Sequence, residues 1–120
     1  MKILIAEDDE MMLKTIEFKL IREGYQVISC GDGQEALLKI VSEKPDLILS
    51  DIEMPFASGL DIVNRVKIEL KLSIPIIILS SVGLEKTVLQ AFELGADDFI
   101  TKPFSPSELI LRIKRLINKH

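Results

Sequence analysis

Ile3-Leu4-Ile5-Ala6-Glu7-Asp8-Asp9, residues 3–9, decides the fold, because an unbroken apolar run passes directly into three acidic residues. Continuous apolar runs are typical of β-strands that helices cover on both faces. Three later runs have the same form and also end on polar residues: Leu47-Ile48-Leu49 before Ser50-Asp51, Ile76-Ile77-Ile78-Leu79 before Ser80, and Phe99-Ile100 before Thr101-Lys102. The sequence therefore predicts neighbouring parallel strands whose carboxyl ends share one polar edge.

Segments with apolar residues at helical spacing separate the strands. The predicted strands are 3–6, a weaker strand 25–29, 46–50, a fourth that Pro75 opens, and 97–101. The predicted helices follow Asp9 up to Arg22, cover 36–41 and stop before Lys44, run from Gly59 to Leu70 and from Leu84 to Leu94, and begin after Ser105. This alternation predicts an α/β fold of five βα units around a doubly wound, five-stranded parallel sheet.

The last helix has the clearest start. Ser105 is placed to cap it, Pro106 occupies the first helical position, and Glu108 completes an S-x-x-E capping box. Its predicted buried stripe consists of Leu109, Ile113, Leu116 and Ile117.

Length and composition limit the class of protein. The 120 residues predict one domain, 1–120, and the net charge is −4 with a pI near 5.0. Lysines and arginines are scattered, so direct nucleic-acid binding is not expected. Cys30, the only cysteine, cannot form an internal disulfide, and the sequence has no signal-like or membrane-length apolar segment. We therefore expect a cytoplasmic protein without a membrane partner.

The polar strand ends combine three carboxylates, a hydroxyl and an ammonium group. Crowded carboxylates raise one another's pKa, so the cluster calls for a cation, and Mg²⁺ prefers oxygen ligands. Glu7 and Asp8 suit that role, while Asp51 could attack phosphorus and form an acyl phosphate. Lys102 can stabilise charge on the phosphoryl oxygens, and Ser80 can donate to them. The pattern predicts a magnesium-dependent phosphoryl site.

Each of these residues also has a simpler interpretation. An acidic residue at a strand–helix junction is often a helix cap, and we assign that role to Asp9 and Glu10. Lys102 alone would be an ordinary loop lysine, and Ser80 alone would signify nothing. The prediction depends on their joint occurrence at four separate strand ends.

The chain resembles the receiver domain of bacterial two-component response regulators. The resemblance covers nearly the whole chain and rests on 3–9, Asp51-Ile52-Glu53-Met54-Pro55 with Gly59, Pro75 to Ser80, and 95–104. It implies a flavodoxin-like strand order of 2-1-3-4-5, in which ligands bind beyond the carboxyl ends of the strands. It also implies that Lys102-Pro103 is a cis peptide.

The resemblance assigns roles to residues of the predicted site. Asp51 would accept a phosphoryl group from a sensor histidine kinase or a phosphotransfer protein. Glu7, Asp8, Asp51 and the backbone carbonyl of Glu53 would hold Mg²⁺, for which Mn²⁺ could substitute. Lys102 would contact the phosphate, and Ser80 and Phe99 would form the switch. Such a domain is a signalling switch rather than an enzyme, with only self-phosphorylation and autodephosphorylation expected.

Residues from Gly95 to Lys119 resemble the subfamily that carries a winged-helix DNA-binding domain and dimerises through this face. Its charged contacts are matched by Asp97, Asp98, Glu108, Arg112 and Arg115. Val88 departs from the pattern, because a basic residue usually stands there to pair with the position of Glu108. A homodimer through this face is therefore a weaker expectation than the fold.

Three other functions compete with this interpretation. A phosphorylation-independent receiver-like interaction module would not need Glu7, Asp8, Asp51, Ser80 and Lys102 together. A haloacid-dehalogenase-like phosphatase would carry D-x-D on its first strand, whereas Asp51-Ile52-Glu53 follows the third. A dinucleotide-binding domain would need a glycine-rich motif after the first strand.

Overall fold

The computed structural model describes residues 1–81 and 85–119, with side chains up to Asn118. Its strands are β1 (Lys2–Ala6), β2 (Gln26–Cys30), β3 (Leu47–Asp51), β4 (Ile76–Ser80) and β5 (Asp98–Thr101). Its helices are α1 (Glu10–Arg22), α2 (Gly33–Glu43), α3 (Gly59–Val63), α4 (Glu85–Leu94) and α5 (Pro106–Lys119). All strand pairs are parallel, and the order β2-β1-β3-β4-β5 confirms the predicted topology.

The sheet separates two apolar cores, because successive side chains of a strand point to opposite faces. On one face, Leu4 and Ile78 of the sheet pack with the buried residues of α2, α3 and α4. On the other face, Ile5 and Leu79 pack with α1 and α5. The central strands β1, β3 and β4 are buried on both faces, which explains their continuous apolar runs.

The third helix differs from the predicted single helix over 59–70. It is α-helical only through Val63 and continues as a π-helical segment over Asn64–Glu69. The wider turn ends where the backbone N–H of Leu70 donates to the carbonyl of Arg65 at 2.8 Å. The side chain of Glu69 supports it by accepting from Asn64 at 2.9 Å and Arg65 at 2.8 Å.

The strand boundaries shift by at most one residue, and α2 begins at Gly33, three residues before the predicted 36–41. The prediction ended the third strand at Ser50, but β3 includes Asp51, and β2 and β5 each begin one residue later than expected. The predicted fourth helix began at Leu84, which lies outside the described residues. In α5, Ser105 Oγ accepts from the N–H of Glu108 at 3.1 Å, as the capping pattern predicted.

One further expectation agrees with the structure. The Lys102-Pro103 peptide is cis. Over residues 1–81 and 85–119, no helix has both the length and the apolar character that a membrane crossing requires.

Candidate functional site

The strand register brings the predicted residues to one edge of the sheet. Ala6 of β1 lies beside Ser50 of β3, so Glu7 follows β1 next to Asp51. Ser80 ends β4 beside Thr101 of β5, and the backbone N–H of Lys102 donates to the carbonyl of Ser80 at 2.7 Å. Three strand ends therefore converge on the carboxylate at the end of β3.

Asp51 and Glu7 are buried acids, with only 8% and 1% of their surface exposed. Oδ1 of Asp51 accepts from the backbone N–H of Ile52 at 2.9 Å. Oε2 of Glu7 accepts from the backbone N–H of Asp9 at 3.3 Å. Both carboxylates are therefore held by the backbone that follows their own strands.

Lys102 joins the two acids from the far side of the site. Its Nζ donates to Oε1 of Glu7 at 2.5 Å and lies 3.5 Å from Oδ1 of Asp51. The lysine side chain is only 16% exposed, so water screens these contacts poorly. A single cation therefore faces two buried anions.

Burial is the main cause of the raised pKa of both Asp51 and Glu7. It raises the pKa of Asp51, although the Lys102 charge and hydrogen bonds with Glu7 and Ile52 act in the opposite direction. It also raises the pKa of Glu7, against the hydrogen bond from Lys102. Burial lowers the pKa of Lys102, but the two carboxylates outweigh it and leave that pKa above its usual range.

Asp8 completes a set of acids that could hold a metal ion. Glu7, Asp8 and Asp51 each offer a carboxylate oxygen, and these oxygens lie within 4.8 Å of one another. Asp8 is exposed, as expected for a ligand that faces a hydrated ion. One ammonium group cannot neutralise three carboxylates, so the donor set fits Mg²⁺, which accepts oxygen ligands and keeps several waters.

Glu53 lies two residues after Asp51, in the loop between β3 and α3, and its side chain is exposed. The loop turns back so that the backbone N–H of Gly59 donates to the carbonyl of Ile52 at 2.9 Å. A Cβ at position 59 would lie 2.5 Å from the carbonyl oxygen of Asp51, so only glycine fits. The role of the Glu53 carbonyl in metal binding stays a prediction.

The two predicted switch residues lie on neighbouring strands. Ser80 is completely buried at the end of β4, and its side chain has an interaction partner. Phe99 pairs with Ile78 across β4 and β5, and its half-buried ring packs against the core beside α2, α3 and α4. The strand pairing thus connects the acidic site with the face formed by α4 and β5.

The charged residues predicted for a dimer take part in contacts within the chain. Asp97 accepts from Lys67 Nζ at 2.9 Å and from the backbone N–H of Ile76 at 2.8 Å. Arg112 donates to Asp98 at 2.9 Å and to Glu108 at 3.1 Å.

Arg115, the remaining member of the predicted dimer set, is exposed. Val88, which stands where a basic residue is usual, is half-buried on α4.

Sequence reasoning missed the pairing of Lys67 with Asp97, whose partners lie thirty residues apart. It also missed the support that α2 gives to the loop after Asp51. A Cβ at Gly33 would lie 1.9 Å from the carbonyl oxygen of Ala57, so the start of α2 lies directly against that loop. No local pattern predicts either contact. The glycines at positions 33 and 59 are consistent with a close approach of two backbone segments, because a Cβ at either position would collide with the neighbouring backbone.

Comparison with known proteins agrees with this geometry. The family model for the response regulator receiver domain matches residues 3–114. The chain is 40% identical over 118 residues to the alkaline phosphatase synthesis transcriptional regulatory protein PhoP of Bacillus subtilis. It is 42% identical over 118 residues to the phosphate regulon transcriptional regulatory protein PhoB of Pseudomonas aeruginosa. These matches cover 98% of this chain but 49% and 52% of the two relatives, so it spans about half their length.

Among solved structures, the receiver domain of the Francisella response regulator 1452 superposes with a TM-score of 0.92 and 32% identity. That match covers 98% of this chain and 97% of the Francisella chain. The family match spans most of the residues, and the matches to PhoP and PhoB each extend over 118 residues. The chain therefore belongs to the response regulator receiver domain family, a family of signalling domains.

Proposed function

We propose that Asp51 accepts a phosphoryl group from the phosphohistidine of a sensor kinase or a phosphotransfer protein, with Mg²⁺, or Mn²⁺ in its place, bound beside it. The observation that carries the proposal is the convergence of Lys102 with Glu7 and Asp51 beside exposed Asp8. Glu7 and Asp51 are the only buried carboxylates among the described residues, and Lys102 contacts both.

The chain's own residues would perform the transfer mainly by position and charge. A carboxylate oxygen of Asp51 attacks phosphorus, the phosphorus–nitrogen bond breaks, and the donor imidazole keeps the electron pair. Lys102 offsets negative charge on the phosphoryl oxygens, and Glu7 and Asp8 would hold the metal ion together with the Glu53 carbonyl. The ion supplies further positive charge when it is bound. Hydrolysis of the acyl phosphate would reset the domain.

The response would travel through Ser80 and Phe99. A phosphoryl group adds negative charge and strong acceptor oxygens next to the end of β4. Ser80 would donate to it, and the Phe99 ring would occupy the space that the serine leaves. Phe99 has no hydroxyl, so its two positions would differ in packing rather than in a hydrogen bond.

Intact mass measurement after incubation with acetyl phosphate and Mg²⁺ tests the proposal. The wild type should gain the mass of one phosphoryl group, and Asp51→Asn should gain none. Asp46→Asn is the matched control, because it removes an exposed carboxylate. Asp46 directly precedes β3, whereas Asp51 ends that strand. Asp8→Ala should abolish the metal requirement together with phosphorylation.

An adduct that persists in Asp51→Asn would place the acceptor elsewhere. A folded wild type that gains no phosphate would favour the interaction module. Repeated turnover of a phosphate ester would favour the phosphatase. The cytoplasmic location stays a prediction from composition.

A further inference from the structure

Phe56 has an unusual position in the loop between β3 and α3. Its side chain is 83% exposed, the highest fraction among the large apolar side chains of the described residues. Its φ angle is +72°, in the left-handed region that bulky residues rarely adopt. The sequence thus places a phenylalanine at a strained position where its ring stays exposed.

The strain comes from a three-residue turn centred on Phe56. The backbone N–H of Ala57 donates to the carbonyl of Pro55 at 2.8 Å, which together with the positive φ describes the rare, strained form of the γ-turn. The same carbonyl accepts from the N–H of Gly33 at 3.4 Å. Contacts on both sides therefore hold the turn, as a strained residue requires in order to persist.

The turn lies on the edge of the sheet at which a phosphoryl group must arrive. The loop leaves β3 directly after Asp51 and closes again at Ile52 and Gly59, so Phe56 lies in the loop that follows the acidic site. Asp8, Asp9 and Glu53 are exposed on the segments that follow β1 and β3. The rim, meaning these segments after β1 and β3, thus combines one exposed aromatic residue with several carboxylates.

This arrangement suits a protein phosphodonor and not a small one. Aromatic anchors dominate many protein interfaces, and a residue whose backbone is held in place before binding loses less entropy when a partner covers it. Acetyl phosphate has no surface that could reach the ring. A protein that brings a phosphohistidine to Asp51 must place its own surface against this rim.

We propose that Phe56 is a docking residue for the phosphohistidine protein, and this inference rests on the function proposed above. The partner would offer an apolar hollow beside its phosphohistidine, with lysine or arginine side chains facing the acidic rim. Phe56 touches neither the reacting atoms nor the metal, so it determines which donor is used and not the chemistry.

The test compares two phosphodonors on the same variants. The protein donors are the autophosphorylated cores of a panel of histidine kinases, of which the core fastest with the wild type is kept. The small donor is acetyl phosphate at the same Mg²⁺ concentration. Phe56→Ala removes the ring, and Phe56→Gly removes both the ring and the backbone strain, while Phe56→Leu keeps an apolar side chain. Leu38→Ala is the control, because Leu38 is 68% exposed on α2.

We expect Phe56→Ala and Phe56→Gly to lower kcat/KM for the kinase core by about tenfold or more, mainly through KM. Phe56→Leu should lose less, and Leu38→Ala nothing. The rate with acetyl phosphate should not change in any of them. The thermal midpoint should rise in Phe56→Gly, which shows that a slower transfer does not come from a damaged fold.

Three results would overturn the inference: unchanged transfer from the kinase core, equal losses with both donors, or a wild type that accepts phosphate from acetyl phosphate but from none of the cores. A wild type that accepts phosphate from neither donor would instead remove the proposed function itself.

Discussion

At the scale of single residues, Asp51 shows how function opposes stability. A carboxylate that is 8% exposed loses most of its hydration, and Lys102 at 3.5 Å replaces it only in part. Burial therefore raises the pKa of Asp51, and it raises the pKa of Glu7 in the same way. The proposed function accounts for this cost, because the same carboxylate would have to accept a phosphoryl group beside a cation.

These directions set the pH dependence of stability. Between the ordinary pKa of the two acids and their raised pKa, the folded chain binds more protons than the unfolded chain. The free energy of unfolding contributed by these groups therefore falls as pH rises through that window, and it stays low above the raised pKa.

Asp51→Asn should accordingly increase the free energy of unfolding at pH 7 without metal, because it removes a buried carboxylate whose charged form burial disfavours. The gain should shrink as pH falls below the raised pKa, because the wild-type carboxyl is then neutral as well. Chemical unfolding of both proteins, repeated between about pH 4 and 8 in steps of about one pH unit, measures this difference in the free energy of unfolding. Asp46→Asn, which removes an exposed acid, should show no such pH-dependent gain. A variant less stable than the wild type at pH 7 would contradict this account of Asp51.

At the scale of elements, β4 and β5 connect the site with a distant face. Ser80 ends β4 within the site, and the neighbouring pair Ile78 and Phe99 places the aromatic ring two residues back along the same strands. The ring packs towards α2, α3 and α4 and not towards α1 and α5. A movement at the end of β4 should therefore be felt first along β5 and α4.

Ser80→Ala should separate phosphorylation from this response. Asp51 would still accept phosphate, but the amides of α4 and β5 should change little, because the hydroxyl that follows the phosphoryl group is absent. Hydrogen exchange with and without a beryllofluoride mimic measures the response. Ser50→Ala is the matched control, since Ser50 is also completely buried at a strand end and its hydroxyl donates to the carbonyl of Asp51 at 2.9 Å. Equal responses in the wild type and Ser80→Ala would remove Ser80 from the relay.

At the scale of the whole molecule, the β5–α5 surface contains ion pairs that a dimer would have to rearrange. Arg112 already bridges Asp98 and Glu108, and the pKa of its guanidinium is raised mainly by the hydrogen bond to Asp98. Asp97 is similarly paired with Lys67. Exchanging pairs within the chain for pairs between chains gains little, because exposed ion pairs are individually weak.

We therefore expect the activated chain to form a weak dimer that dissociates as salt is added. Sedimentation of the beryllofluoride-treated protein at low and high ionic strength measures it. Arg112→Glu should abolish the dimer, because it places like charges beside Asp98 and Glu108. Arg65→Glu is the control, since Arg65 pairs with Glu69 on a different helix. A dimer that ignores salt, or that survives Arg112→Glu, would place the interface elsewhere.

The alternation of strands and helices and the residues at the strand ends could be predicted from the sequence alone. Strands buried on both faces leave continuous apolar runs, and the polar residue that ends each run is readable without coordinates. Glu7, Asp51 and Lys102 were identified in this way, whereas the strand order, the cis peptide and the roles of Ser80 and Phe99 came from the family resemblance. The caps at Asp9 and Ser105 were also readable, because they depend on residues only two or three positions away.

Features that depend on contacts between distant residues are visible only in the folded structure. The pairing of Asp97 with Lys67 joins residues that lie 30 positions apart in the chain, so no local pattern predicts it. The π-helical turn after Val63 depends on a balance of backbone hydrogen bonds that apolar spacing does not report. The left-handed backbone of Phe56 is imposed by contacts that hold its loop against Gly33. Local sequence specifies conformations that short-range energies favour, and a conformation held against those energies becomes visible only when the surrounding chain is in place.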